Sequence, residues 1–510
     1  MGGLHARRDS DGERARDRRR RWHLPRDDLA TLHDPGPRRD AEDAVPAAGQ
    51  LPGVEALHAR PLRPLVRSVR PQVDQHHAND DHDDDDDRHR GRGRSDDQAP
   101  GEHGAANPVG TRTVRELLSL EEALEQVLEH ARTLPAETVP LGDAVGRVLA
   151  EPAVARVDLP PFASSAMDGY AVRATDTPGS LPIVVRVAAG SPSSEPLPTG
   201  TAAAIATGGA VPEGADAVVP VEQTVERGRE VEIAEAARTD AHIRPRGGDV
   251  RAGDTVVGPH VRLGATQIGA LAAAGVPEVR CARRPRVTVL ATGSELRAPG
   301  DTLAPGQIFE SNRTMIAAAL AGSGATVDLL PVVPDEEDAH REAVTQGLDG
   351  DMLVTSGGVS VGPHDLVRRI EAELGVREVF WGVAVKPGKP LSFGVRGATL
   401  VFGLPGNPVS SLVGSLLFVR PALLALQGLL DPRPSFERGE AVVALRRNAQ
   451  RDEFLRARRR LEDARTLLEP VLGQESHMIV RAASADALVH VPRGVGEIAA
   501  GEPLRYLSLA

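Results

Sequence analysis

Four short segments contain the residue types that bind phosphate and divalent metal ions: residues 292–295, 356–365, 386–389 and 405–407. Together they contribute glycines, two lysines, hydroxyls and several carboxylates. Lysines and helix N-termini neutralise phosphate, and carboxylates hold magnesium that bridges to phosphate oxygens. Each segment alone is weak support, because a Gly-Gly turn, an exposed lysine or an Asn-Pro pair is usually structural. The combination predicts an enzyme that handles phosphate or another oxyanion.

The stretch 351–365 is the most informative of these segments. It reads as a buried strand that opens through Gly357 and Gly358 onto a helix beginning near Asp365. A helix N-terminus offers free N–H groups and a positive dipole end, and glycines allow close approach of a ligand, so an anion site is expected. On its own, Asp365 is as well explained as a helix cap. The chain has no Walker pattern, and its glycine spacing differs from the Rossmann fingerprint.

Alternating strands and helices are predicted to hold these segments. Short apolar strands alternate with helical patterns from Pro285 onward, and each of the four segments follows a strand. This alternation predicts a doubly wound, mostly parallel sheet, in which ligands bind beyond the carboxyl ends of the strands. The predicted strands are 287–290, 327–333, 352–354, 379–385 and 399–402, and the predicted helices are 311–320 with Ser311 as cap, 335–348, 365–374 and 409–426.

The remaining patterns divide the chain into further domains. A capping box begins at Ser119, and helices are predicted over 143–150 and 264–275, whereas 181–233 and the region after 434 read as β. The predicted division is a low-complexity tail (1–112), a helical connecting domain (113–160 and 244–282), a small β-domain (161–243), an α/β-domain (283–432) and a C-terminal β-domain (433–510).

Composition excludes several classes of protein. Cys281 is the single cysteine, which rules out an intramolecular disulfide or a cysteine-cluster metal site and fits a reducing cytosol. Aromatic residues make up 2% of the chain, so base stacking on nucleic acid is not expected. No apolar run long enough to span a membrane is expected, and no signal peptide is indicated. These features predict a cytoplasmic protein without a nucleic-acid or membrane partner.

The tract 1–112 differs in composition from the rest of the chain. It holds most of the sixteen histidines and long charge blocks such as 83–87. Its His/Asp run, 76–89, is compatible with metal binding. The simpler interpretation is a solvated, disordered tail, because this composition buries too little apolar surface to offset chain entropy. A third possibility is that translation starts near 109–114; the intact mass of the native protein distinguishes it.

A series of short motifs lies in the same order as in one known family. The motifs are Ser165-Ala-Met-Asp-Gly-Tyr-Ala171, Thr207-Gly208, Gly214-Ala-Asp-Ala-Val218, Arg246-Gly-Gly-Asp249, Thr292-Gly-Ser-Glu-Leu296, Gly306-Gln-Ile308, Ser311-Asn-Arg313, residues 356–365, Lys386-Pro-Gly-Lys-Pro390, Leu404-Pro-Gly-Asn-Pro408 and residues 473–477. On these motifs, residues 113–510 resemble the molybdopterin molybdenumtransferases, the group that includes the gephyrin E domain.

The resemblance implies a multidomain α/β plus β protein. Its parts would be a molybdopterin-binding sheet domain, a small β-domain, a helical connecting domain and a C-terminal barrel-like β-domain. The family forms homodimers with the active site between protomers. Its members take adenylylated molybdopterin, bind molybdate, and hydrolyse the adenylyl bond with Mg²⁺ as cofactor, which releases AMP and the molybdenum cofactor. A molybdopterin adenylyltransferase is then a possible protein partner.

The resemblance also assigns roles to individual residues. The expected catalytic residues are Asp365, Ser360, Glu295 and Asp335. The expected substrate-binding residues are Asp168, Thr207, Asp249, Thr292, Gly293, Ser356, Gly357, Gly358, Pro405, Gly406 and Asn407. Molybdate or phosphate is expected at Lys386, Lys389, Pro390, Arg456 and Ser476. Magnesium is expected at Asp365 and Glu295, and Asp168, Thr207 and Asp249 are expected to face the cleft from the other protomer.

Some positions depart from the family pattern. Ala163 and Ser164 stand where Asp-Asn is frequent, Gly248 where an acidic residue is common, and Gly382 where some relatives have lysine. These departures bear on metal number and anion affinity.

Two other functions are compatible with parts of the chain. A gephyrin-like scaffold is one, but a scaffold would not need Asp365, Lys386 and Lys389. A molybdopterin adenylyltransferase, which shares the α/β fold, is the other; the flanking domains with Arg456 and Ser476 argue against it.

Overall fold

The computed structural model describes residues 117–358 and 366–509. Residues 117–282 contain short strands and two α-helices, joined by 3₁₀ turns at Leu141–Asp143, Ala174–Asp176 and Val221–Gln223. In chain order these are α1 (Leu120–His130), β1 (Ala136–Pro140), β2 (Ala153–Val154), β3 (Ser164–Ser165), β4 (Gly169–Val172), β5 (Gly179–Val187), β6 (Ala202–Ile205), β7 (Ala217–Pro220), β8 (Thr224–Arg227), β9 (Glu230–Ile233), β10 (Ile243–Arg244), β11 (Thr255–Val257), α2 (Ala265–Ala273) and β12 (Glu278–Ala282).

Strands far apart in the chain pair within this region. β1 pairs with β12 and β2 with β11, both antiparallel, around a small core that includes Leu263, Leu271 and Cys281. Between these segments, six strands form one sheet in the order β7-β4-β6-β5-β9-β8. The Ser119 capping box is confirmed, since its hydroxyl accepts from the Glu122 N–H and the Glu122 carboxylate accepts from the Ser119 N–H at 2.9 Å.

The central region is an α/β layer structure. Its elements are β13 (Arg286–Ala291), β14 (Leu296–Arg297), β15 (Ile308–Phe309), α3 (Asn312–Gly322), β16 (Thr326–Leu329), α4 (Glu337–Gly347), β17 (Met352–Ser356), α5 (Leu366–Glu373), β18 (Arg377–Trp381), β19 (Val385–Lys386), β20 (Ser392–Arg396), β21 (Thr399–Leu404), α6 (Pro408–Gly414), a π-helical turn at Ser415–Val419 and α7 (Arg420–Leu426). The sheet order is β16-β13-β17-β21-β20-β18. The first four strands are parallel, and β20 pairs antiparallel with both β21 and β18.

Alternation of apolar side chains explains the two layers of helices. Val287, Val289, Met352 and Val354 share one core with α3, α6 and α7, whereas Leu290, Leu353 and Val401 share another with α4 and α5. Successive strand residues point to opposite faces, and both faces here are buried under helices. The predicted doubly wound, mostly parallel sheet is therefore confirmed.

The C-terminal region closes into a barrel. It contains β22 (Glu437–Ala441), β23 (Leu445–Arg446), β24 (Asp452–Glu462), β25 (Arg465–Pro470), α8 (Ile479–Ala482), β26 (Ala487–Val491), β27 (Glu497–Ile498) and β28 (Pro503–Ser508). Strands run in the order β24-β25-β22-β28-β26, and β26 pairs back to β24. This ring of five strands confirms the barrel-like β-domain, and the start of β24 also pairs with β19 of the α/β region.

Several local predictions were wrong. The helix predicted over 143–150 is absent, because Gly146 has φ +76° and Val148 and Leu149 form β-bridges. Ser311 precedes α3 but makes no side-chain capping bond. The strand predicted over 379–385 breaks at Gly382 (φ +88°), and β20 went unpredicted.

One expectation about membranes also needs correction. The helical stretch Pro408–Leu426 has 19 residues and a mean hydropathy of 1.8, enough by length and composition to cross a bilayer. However, 78% of that window is buried, and Leu417 and Phe418 lie in the main core. A core helix of a soluble protein has the same properties, so this helix is weak support for a membrane span.

Candidate active site

The ends of the parallel strands meet at one edge of the sheet. The Thr292 N–H donates to the Ser356 carbonyl at 3.1 Å, and the Gly357 N–H donates to the Leu404 carbonyl at 3.1 Å. Thr292 also bridges to Val333, just before Asp335. The structure thus brings 292–295, 333–335, 356–358 and 405–407 together, as parallel topology requires.

The lysine loop reaches the same edge. Trp381 is opposite Ser392, and Ser392 is opposite Gly403, so the connection between β18 and β20 lies at the carboxyl end of β21. A Cβ added at Gly388 would lie 3.7 Å from the Ser410 carbonyl oxygen, which puts this loop beside the start of α6. Lys386, Lys389 and Pro390 are therefore neighbours of the Pro405–Gly406–Asn407 turn.

The two lysines have different surroundings. Lys386 Nζ lies 3.0 Å from Glu453 Oε1, at the start of β24. Lys389 is exposed and makes no ion pair within the described part of the chain; its carbonyl accepts from the Val383 and Leu391 N–H groups. Its ammonium is thus available to an anion.

Asn312 joins two of these segments, and sequence reasoning did not assign it a role. This side chain is 8% exposed, and its Nδ2 donates to Ser356 Oγ at 2.9 Å and to the Gly406 carbonyl at 2.7 Å. The buried Ser411 hydroxyl, also unassigned, donates to the Pro405 carbonyl and lies 3.3 Å from Ser356 Oγ. The Ser311-Asn-Arg313 motif was the available signal for Asn312, whereas Ser411 gave none.

Glycines are required where the turns approach each other. Gly357 has φ +95°, and a Cβ there would lie 2.8 Å from the Thr292 carbonyl oxygen. Gly406 lies close by, since its added Cβ would be 3.8 Å from Gly357 Cα. The turns after β17 and β21 therefore meet through their backbones, without intervening side chains. This arrangement places backbone N–H and C=O groups at this edge of the sheet.

The two acidic residues expected at this edge, Asp335 and Glu295, are exposed. Asp335 Oδ2 accepts from the Ser294 N–H at 3.1 Å, and the Asp335 N–H donates to Ser294 Oγ at 3.0 Å. Glu295 is exposed, with its carboxylate beside Gly293. Glu310, a further acid that sequence reasoning missed, is 2% exposed and accepts from the Arg313 N–H at 2.6 Å. Ser360 and Asp365 lie outside the described residues.

Carboxylates at this edge are few but compatible with magnesium. Within the described residues, no group of three or more His, Cys, Asp or Glu side chains is arranged to hold a metal. Magnesium usually keeps several waters and uses one or two carboxylates plus substrate phosphates. The exposed Glu295 suits that kind of site.

Asp168 lies in the small β-domain and Asp249 beside it, and both are held by nearby groups. Asp168 Oδ1 accepts from the Thr207 N–H at 2.6 Å and from the Thr207 hydroxyl at 2.9 Å. Both bonds lower the pKa of the Asp168 carboxyl, and the bond from the backbone N–H has the larger effect. The carboxyl is therefore charged at neutral pH. Asp249 is exposed, and its N–H donates to the Leu159 carbonyl. Among the described residues, no hydrogen bond links these three side chains to the sheet edge.

Ser476 lies at the site, and the side chain of Arg456 is buried against the loop that carries it. The Ser476 carbonyl accepts from the Val409 N–H at 3.0 Å, next to Asn407. The Arg456 side chain is fully buried, and its two terminal nitrogens donate to the carbonyls of residues 473–475 at 2.8–3.3 Å. Burial lowers the pKa of this guanidinium, partly offset by Glu475. Arg456 thus shapes the loop that carries Ser476.

Family models match nearly all of the described chain. The description "MoeA N-terminal region (domain I and II)" matches 118–275, "Probable molybdopterin binding domain" matches 288–425, and "MoeA C-terminal region (domain IV)" matches 438–509. The site residues described above fall within these three matches.

Curated relatives and solved structures agree with these matches. Molybdopterin molybdenumtransferase 2 of Mycobacterium tuberculosis is 37% identical over 404 residues, which cover 77% of this chain and 99% of that protein. The Haemophilus influenzae molybdopterin molybdenumtransferase is 34% identical over 394 residues, 76% of this chain and 97% of that protein. The crystal structure of the molybdopterin biosynthesis MoeA protein from Pyrococcus horikoshii OT3 superposes with a TM-score of 0.67 at 27% identity, covering 77% of this chain and all of that one. With its sheet-edge site and these three domain matches, the chain belongs to the molybdopterin molybdenumtransferase family.

Proposed function

We propose that this enzyme inserts molybdenum from molybdate into adenylylated molybdopterin and hydrolyses the adenylyl bond in a magnesium-dependent step. The observation that carries the proposal is the convergence of four strand-end turns and the Lys386–Lys389 loop at one sheet edge, in a chain of this family. The products are AMP and the molybdenum cofactor. Adenylyl hydrolysis suits such a site because it needs charge neutralisation and a positioned water more than a covalent nucleophile.

The oxyanion part of the substrate would bind at the lysine loop. Molybdate is a dianion, and Lys389 offers an uncompensated ammonium among the described residues. Lys386 adds a second cation on the same loop, and Ser476 and Pro390 complete the surroundings. Arg456 contributes by holding the loop of Ser476 in place.

The nucleotide–pterin part would lie along the glycine turns. Gly357, Gly358 and Gly406 leave space for close approach, with Thr292, Gly293, Ser356, Pro405 and Asn407 forming the adjoining backbone. Glu295 together with Asp365 would hold Mg²⁺, which supplies charge neutralisation at the phosphate oxygens when bound. Asp335, Ser360 and Asp365 would orient the attacking water and the phosphate.

The second protomer would complete the site. Asp168, Thr207 and Asp249 lie in or beside the small β-domain, with no hydrogen bond to the sheet edge of their own chain among the described residues. In a homodimer with the active site between protomers, they would face the cleft of the other copy.

We further propose a cytoplasmic location, supported by the single buried Cys281, and domain boundaries near 160, 243, 282 and 432.

The test is a complete reaction with defined components. Purified protein is incubated with adenylylated molybdopterin, Mg²⁺ and molybdate, and AMP release and reconstitution of an apo-molybdoenzyme are measured. Both should appear and depend on molybdate. Absence of both refutes the transferase. Transfer of the adenylyl group from ATP to unmodified molybdopterin, with release of pyrophosphate, would instead support the adenylyltransferase alternative. The matches to the two flanking MoeA regions argue against that alternative.

A further inference from the structure

The ion pair between Lys386 and Glu453 joins the α/β region to the barrel. Lys386 Nζ and Glu453 Oε1 are 3.0 Å apart, and the side chains are 53% and 13% exposed. Glu453 is thus an almost buried carboxylate whose partner is half in solvent. A pair of this kind is screened less than a surface salt bridge, so the carboxylate exerts a real field at the lysine.

The backbone fixes the position of this carboxylate. β19 and β24 pair in parallel, with Val385 opposite Asp452 and Lys386 opposite Glu453. The Asp452 N–H donates to the Ala384 carbonyl at 2.9 Å. A ladder of two residue pairs is short, so side-chain anchoring has to supplement it.

Buried polar contacts provide that anchoring. Asp452 Oδ1 lies 2.9 Å from His490 Nε2 and accepts from the Arg493 N–H at 3.1 Å. The His490 ring is 4% exposed and stacks on Phe454 at 5.0 Å. The start of β24 is therefore anchored by buried contacts, with Glu453 beside Lys386.

The contrast with Lys389 leads to the inference. Lys389 is three residues along the same loop and lacks an ion pair among the described residues. We propose that Glu453 is the resident counter-ion of Lys386 and sets how tightly the loop holds an oxyanion. This inference rests on the proposed function, in which the loop binds molybdate or phosphate. Any anion that reaches Lys386 must share its ammonium with Glu453 and is repelled by that carboxylate.

The charge of the ligand sets the size of the effect. Repulsion between Glu453 and an anion on Lys386 scales with ligand charge, so it is twice as large for a dianion as for a monoanion at the same place. A free oxyanion is therefore held weakly, whereas a substrate that also contacts the glycine turns overcomes the repulsion. Removing the charge should tighten binding of a free dianion by about threefold to tenfold at low salt.

The experiment compares two tetrahedral oxyanions that differ in charge, molybdate and perrhenate. Their dissociation constants are measured by titration calorimetry for wild type, Glu453→Gln, Glu453→Asp and the control Glu440→Gln. Glu440 is a barrel glutamate paired with Arg465 at 3.3 Å rather than with a lysine of the site. The glutamine variant should bind molybdate about threefold to tenfold more tightly and gain less for perrhenate. The aspartate variant and the control should stay within about twofold of wild type.

The outcomes separate this inference from the proposed function. An unchanged or weaker affinity in a folded Glu453→Gln protein, or equal gains for both anions, overturns the counter-ion role even if wild type releases AMP in response to molybdate. A wild type that neither binds molybdate nor releases AMP overturns the proposed function as well. If the glutamine variant does not fold, Glu453→Ala serves in the same comparison.

Discussion

Asn312→Ala tests whether one buried amide holds the two glycine turns at the correct spacing. The substitution removes the Nδ2 bonds to Ser356 Oγ (2.9 Å) and to the Gly406 carbonyl (2.7 Å). Ser356 is 2% exposed and keeps only weaker contacts at 3.3–3.4 Å, to Ser411 Oγ and the Pro405 carbonyl. Gly406 is exposed, so water replaces the amide at its carbonyl.

The expected size of the effect follows from these surroundings. Loss of a partner for a buried polar group costs about 1–3 kcal/mol, and a solvent-replaced bond costs about 0.5–1.5 kcal/mol. The free energy of unfolding should therefore fall by about 2–4 kcal/mol, including the small cavity left behind. Because the turns line the proposed substrate cleft, kcat/KM for AMP release should fall at least about tenfold, equivalent to about 1.4 kcal/mol.

A matched substitution separates positioning from stability. Asn448, in the barrel, also makes two side-chain hydrogen bonds, accepting from the Gln450 and Arg451 N–H groups at 2.9 Å. Asn448→Ala should lower stability without changing KM or kcat. Urea unfolding gives the stability of both variants, and steady-state AMP release gives their kinetics. If Asn312→Ala is destabilised yet retains wild-type kcat and KM in the folded protein, the positioning argument is refuted.

Three further substitutions probe the same edge. Lys389→Ala should abolish the stimulation of AMP release by molybdate, because it removes an ammonium that has no ion-pair partner among the described residues. An unchanged molybdate dependence would show that Lys389 does not belong to the site. Gly357→Ala should lower the free energy of unfolding by about 1–3 kcal/mol, because φ is +95° and the new Cβ would lie 2.8 Å from the Thr292 carbonyl oxygen. Gly397→Ala is the control and should cost less, because Gly397 also has a positive φ but open space around it. Equal losses in thermal unfolding would contradict the steric argument. Asp365→Asn should give a stable protein without AMP release if the carboxylate acts in the reaction, and an active variant would return Asp365 to a capping role.

The sequence was sufficient for those parts of the fold that follow from periodicity. Buried strands such as 287–290 and 352–354 alternate with helices, and parallel topology then forces their carboxyl ends onto one edge. The sequence was insufficient where a turn decides the outcome. Gly146 adopts φ +76° and ends what reads as a helix over 143–150, and Gly397 (φ +60°) joins β20 to β21 in a hairpin that was not predicted. Positive φ at a given glycine is set by tertiary pairing, so local patterns do not contain it.

The side chains of the site show the same division. The order of the motifs predicted the turns at 292–295 and 405–407 as parts of the site. It did not predict that the Asn312 amide joins the turns at 356–358 and 405–407, because a hydrogen bond between α3 and two strand ends depends on packing. The lysine pair looked equivalent in sequence, yet Lys386 faces Glu453 and Lys389 does not. That asymmetry arises from the barrel, because Glu453 lies 67 residues after Lys386 in the chain.

Arg456 shows how the barrel acts on the site through backbone rather than through charge alone. Its terminal guanidinium nitrogens donate to the carbonyls of 473–475. The Gln474 side chain in turn accepts from the Arg456 N–H and donates to the Arg456 carbonyl. This arrangement fixes the loop whose next residue, Ser476, accepts from the Val409 N–H beside Asn407. The planar guanidinium presents two terminal nitrogens to three carbonyls at once, a geometry that suits arginine better than the compact ammonium of lysine. The barrel therefore contributes two residues to this part of the site. Arg456 supports the loop of Ser476, and Glu453 places a negative charge beside Lys386. The register of β24 fixes the positions of both residues.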